Sequence, residues 1–109
     1  MGTAKYNHPG YIADLGDQGC YQIGVWRPHG FPAHIHIGRQ GAPEAAMLRL
    51  RISDSVFQSL PDDMETLCRR ALGQVVDEGL LNASQAAFQE TRFHPDAEPW
   101  QGPLSQAQA

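Results

Sequence analysis

"AMLRLRISDSVFQSLPDDMETLCRRALGQVV", residues 46–76, changes its apolar period part-way along, and that change decides the fold. In its first part Leu48, Leu50 and Ile52 alternate with Met47, Arg49 and Arg51. A period of two is that of a strand with one apolar face. From Pro61 the spacing becomes three and four, and Met64, Leu67, Cys68, Ala71, Leu72, Val75 and Val76 form one stripe along a helix. Pro61 suits a first helical position, because its missing N–H would have no partner there. Asp62, Asp63 and Glu65 complement the positive end of the helix dipole, and Gly79 ends the helix. The two adjacent aspartates are therefore read as a helix start and not as an acid/base pair. Arg69 and Arg70 are expected on the solvated side.

Upstream, the period of two recurs. "CYQIGVWR", residues 20–27, sets Tyr21, Ile23 and Val25 against Gln22, Gly24 and Trp26. "AHIHIG", residues 33–38, sets Ile35 and Ile37 against His34 and His36. A weaker strand falls near "YIADLG", residues 11–16, and Gly38 to Pro43 reads as a turn. A second helix is expected to start after Asn82 or Ser84 and run to about Arg92, burying Ala83, Ala87 and Phe88. The expected fold is α+β and two-layered: three or four antiparallel strands with two helices packed on one face.

A chain of 109 residues is one small domain, expected over residues 1–94. From His94 the composition shifts to "HPDAEPWQGPLSQAQA", so residues 95–109 are expected to form a flexible tail rich in Pro, Gln and Ala. Trp100 is the residue of that tail able to dock on the domain or on a partner. The formal charge of −4 argues against nucleic-acid binding driven by bulk charge. The short apolar runs argue against a membrane span, and "MGTAKYNHPG" lacks the apolar segment of a signal peptide. Tyr6 stands where a myristoylation pattern expects Ser or Thr. Cys20 and Cys68 are too few for a disulfide framework, so both are expected reduced, in a cytoplasmic protein.

The candidate site follows from the pleat. With Ile35 and Ile37 turned to the helices, His34 and His36 face away from them. Pairing about a turn near residues 42 and 43 places His36 opposite Arg49 and His34 opposite Arg51, with Gln22 and Trp26 on the same face. Three chemistries suit Trp26, His34, His36, Arg49 and Arg51. Two imidazoles at i and i+2 can chelate one metal ion, given a third ligand from His8, His29 or His94. The neighbouring arginines would repel that cation. The arginines could instead hold a phosphate or carboxylate while Trp26 stacks on a ring. Finally, Trp and Arg are favoured in the buried centre of protein interfaces.

The interface reading is preferred, with self-association or a small protein partner, no cofactor and no reaction. The alternative is a small metal-dependent or anion-binding enzyme centred on His34 and His36. "PAHIH", residues 32–36, is also found in the iron-dependent intradiol dioxygenases, but with an arginine where this chain has Phe31 and on a larger β-sandwich. The His-hydrophobic-His strand of rolling-circle and relaxase nucleases needs a later tyrosine, and none follows Tyr21. No P-loop, GxGxxG or Ser/His/Asp arrangement is present.

In order, "WRPHGFP", the His-x-His strand, an amphipathic strand, "SLPDD" and two helical segments resemble a family of small bacterial proteins of unknown function. Its hallmark is a Pro-Pro-His-Phe-His strand, matched here by Pro32, His34 and His36, with Ala33 in place of the second proline. The resemblance runs from Trp26 to Phe88. It implies a small α+β fold and a partner protein, since members are often encoded beside one in toxin–antitoxin-like pairs. It implies no reaction.

Overall fold

The computed structural model describes residues 10–26, 33–42, 47–53, 55, 64–82 and 89–106. The fold is α+β, with one described helix on a six-stranded mixed sheet. The strands are β1 (Tyr11–Asp14), β2 (Cys20–Trp26), β3 (Ala33–Arg39), β4 (Leu48–Ile52), β5 (Gln89–Arg92) and β6 (Leu104–Gln106), in the spatial order β5-β4-β3-β2-β1-β6. All neighbours are antiparallel except β4 and β5, which are parallel.

β2, β3 and β4 form where the alternation predicted them, and β1 falls within the stretch read as a weaker strand. Tyr21, Ile23, Val25, Ile35, Ile37, Leu48, Leu50 and Ile52 are buried on one face. Over them lies α1 (Met64–Asp77), which contributes Leu67, Cys68, Ala71, Leu72 and Val75 to the same cluster. At about 25 cal/mol per Å² of apolar surface removed from water, each of these branched side chains contributes roughly 1.5–3 kcal/mol. The β3–β4 turn closes with Ala42 N–H donating to Arg39 C=O at 2.9 Å, and Gly41 takes the positive φ of 90° that this turn needs.

Four features differ from the sequence expectation. The sheet has six strands, not three or four, and the parallel β4–β5 pair makes it mixed. The last part of the expected second helix, Gln89–Arg92, is instead β5; residues 83–88 of that helix lie outside the described residues. The cause is the crossover: a strand, a helix and a return bring the chain back parallel to β4, where pairing outweighs the helix propensity of Gln, Glu and Arg. Third, the helical stripe is rotated at its end. Gln74 is buried, whereas Val76 is 45% exposed.

The fourth correction concerns the tail. Part of the segment expected to hang free, residues 95–106, packs on the domain and supplies β6, which pairs with β1 through Leu104 to Gln106. Trp100 packs against the core. Arg69, expected in solvent, donates from Nη1 to the carbonyls of Trp100 at 3.0 Å and Gly102 at 2.9 Å. Its backbone carbonyl accepts from Trp100 N–H at 2.9 Å. Arg70 donates to Ala97 C=O at 2.9 Å and Pro95 C=O at 3.4 Å. A Pro-rich segment with little apolar surface is thus held by backbone groups that two helix arginines satisfy. Pro61 to Asp63 lie outside the described residues, as do residues 107–109.

Candidate functional site

The sheet face turned away from α1 carries the expected residues in the expected register. His34 pairs with Arg51 and His36 with Arg49 across β3 and β4. On the other side Trp26 takes the position opposite His34, and Gly24 that opposite His36. Two rows therefore cross the sheet, Trp26–His34–Arg51–Arg92 and Gly24–His36–Arg49–Glu90, with β5 supplying the last member of each. Gln22 sits one row further along, opposite Gly38. A Cβ on Gly38 would come within 2.6 Å of Met47 Cγ, so the Met47 side chain lies over that glycine on the same face.

Glu90 is the residue the sequence did not place here. Its Oε2 lies 3.4 Å from His34 Nε2 and 3.9 Å from Arg51 Nε. One carboxylate thus stands between an imidazole and a guanidinium. His34 is well shielded, its side chain 12% exposed, while Arg51 is 57% exposed. An ion pair that reaches solvent on one side contributes little to stability, about 1 kcal/mol at most. Its effect is chemical: the position an external anion would take between His34 and Arg51 is already held by Glu90. The signal for Glu90 was present in the sequence as period two, with Glu90 and Arg92 alternating with Thr91 and Phe93, but four residues of alternation are short beside a helical composition.

The imidazole rings of His34 and His36 are 6.1 Å apart between centroids and inclined at 56°. Among the described residues, no three His, Cys, Asp or Glu side chains are grouped to hold a metal ion. Of the other histidines considered as ligands, His8 and His29 lie outside the described residues. His94 belongs to the helix side of the molecule, where its Nε2 is 3.5 Å from Glu78 Oε2 and its backbone N–H donates to Gln74 Oε1 at 2.7 Å. His34 Nδ1 is buried and has no hydrogen-bond partner among the described residues. Cys20 is exposed at the start of β2 and Cys68 is buried; both are free thiols. No described helix is long and apolar enough to cross a membrane.

No family model, curated protein or solved structure gives a significant match to this chain.

Proposed function

We propose that the protein is a cytosolic binding module that self-associates through the sheet face bearing Trp26, His34, His36, Arg49 and Arg51. The observation that carries this reading is Glu90 seated between His34 and Arg51. Glu90 contacts the well-shielded His34 and approaches Arg51, so part of the face is ordered before any partner arrives, and Glu90 and Arg51 present both signs of charge to it. A surface of that kind suits a two-fold contact, in which each copy offers the other the same patch. Preordered side chains also lose less rotamer freedom on association. The resemblance to small proteins encoded beside a partner fits the same use of the face, with the second protein taking the place of the second copy.

Light scattering on purified protein, with metal content determined on the same sample, tests this. The expected result is a dimer that Arg51→Glu converts to monomer without loss of fold. A wild-type monomer overturns the reading. So does unchanged assembly in a His34→Gln/His36→Gln variant that has lost a bound metal or ligand.

A second reading, a small metal-dependent or anion-binding enzyme centred on His34 and His36, is favoured by one observation. His34 Nδ1 is buried without a described partner, and such an atom is costly by about 1–3 kcal/mol unless something binds it. About one equivalent of zinc, iron or manganese per chain in that sample would decide for the enzyme.

A further inference from the structure

On the helix side of the molecule a cleft of about 660 Å³ opens between the C-terminal half of α1 and residues His94 to Gln101. Its volume lies within the range of about 300–1,000 Å³ typical of small-molecule sites. The wall is apolar. Val76, the large hydrophobic side chain left exposed among the described residues, lines it together with Trp100, whose ring lies against Gly102. The rim is acidic, formed by Asp77, Glu78, Asp96 and Glu98.

The charges do not cancel. The described lining holds no Lys or Arg, and its histidine, His94, faces Glu78. The guanidinium of the adjacent Arg70 is directed to the carbonyls of Pro95 and Ala97. Gln74, also in the lining, uses both ends of its amide within the protein, donating to Arg92 C=O and accepting from His94 N–H. The C-terminal end of α1 adds the negative pole of its dipole. An apolar wall and a net negative rim are complementary to a cation on an apolar stem, and an aromatic wall adds attraction for such a cation.

The cleft is also fixed in shape. A Cβ on Gly73 would lie 1.9 Å from Glu98 C=O, so the segment rests directly on the helix backbone. Arg69 and Arg70 hold the same segment by its carbonyls. A site whose walls are ordered in advance loses less on binding.

We infer that this cleft is a binding site for a small organic cation, a protonated amine or guanidine carried on an apolar stem, seated against Val76 and Trp100 with its charge toward Asp96 and Glu98. The sheet face discussed above is on the other side of the molecule, so this site is separate from it.

The full chain is titrated with 2-phenylethylamine, with 3-phenylpropionate as an anion of similar size, and followed by amide and indole NMR signals. Saturable shifts are expected at Val76, Asp77 and Trp100 for the amine alone. The Asp96→Asn/Glu98→Gln variant should bind the amine about tenfold more weakly, as expected when two exposed carboxylates lose their charge. Both side chains are exposed, so the variant keeps its fold, which the unchanged remainder of the spectrum checks. Equal shifts with phenylpropionate, shifts mapping elsewhere, or undiminished amine affinity in the variant would overturn the assignment. A lysine-containing peptide competing at the same signals with at least tenfold higher affinity would overturn the small-molecule class in favour of a basic protein segment.

Discussion

Gln74→Met removes two hydrogen bonds and little else. The side chain is 2% exposed, its Nε2 donates to Arg92 C=O at 2.8 Å, and its Oε1 accepts from His94 N–H at 2.7 Å. Methionine has similar length and flexibility, so the packing against α1 and β5 is kept. What remains is a backbone carbonyl and a backbone N–H without partners. Each such group costs about 1–3 kcal/mol when buried. Both are only partly buried here, which lets water recover some of that, so the expected loss is about 2–4 kcal/mol. For a domain whose whole stability is of the order of 5–15 kcal/mol, this is a large fraction. Urea unfolding should show a lower midpoint with an unchanged slope, since the surface exposed on unfolding is the same. The His94 amide should also exchange far faster. The effect reaches the opposite face, because Gln74 anchors the end of β5 and β5 carries Glu90. The His34 ring signals should therefore move in the same variant. A loss below about 0.5 kcal/mol, within what surface substitutions cause, would refute the reasoning by showing that water replaces the glutamine.

Four further outcomes are expected. Ile35→Ala, fully buried at the centre of the sheet, should cost about 2–5 kcal/mol in urea unfolding through the lost transfer energy and the cavity it leaves. Arg69→Met should release the segment from Trp100 to Gln106, seen as faster amide exchange there and a red-shifted Trp100 emission, with a stability loss of about 1–3 kcal/mol from two charge-assisted bonds. Gly73→Ala should gain about 1 kcal/mol of helix propensity yet lower the melting temperature, because the new methyl meets Glu98 C=O and forces the segment off the helix. Glu90→Gln should change urea stability by no more than about 1 kcal/mol, since the ion pairs it breaks reach solvent, while shifting the monomer–dimer balance measured by light scattering.

The alternation of apolar residues carried the centre of the fold. In β2, β3 and β4 the buried side chains are the predicted ones, and the register of His34 with Arg51 and of His36 with Arg49 is the one expected from a turn near residues 42 and 43. That much is legible because strand periodicity and turn geometry together leave few alternatives. The edges were less so. β5 has four residues and β6 three, too few for a period to outweigh composition. Both are held by their neighbours: β5 by the crossover that returns the chain beside β4, and β6 by an open β1 edge.

The residues that resisted prediction share one property. Arg69, Arg70 and Gln74 are long polar side chains at the border of a helical stripe, where periodicity alone assigns them to solvent or leaves them unread. Each instead satisfies backbone groups 18 to 33 residues away in sequence. Nothing local encodes such a bond, because its partner is a carbonyl or amide that every residue possesses. Yet these bonds determine where Glu90, His94 and Trp100 lie, and so they set both the sheet face and the acidic cleft. The apolar residues specify the layers of this protein. Its two candidate binding surfaces depend on polar groups whose role appears only once the layers have formed.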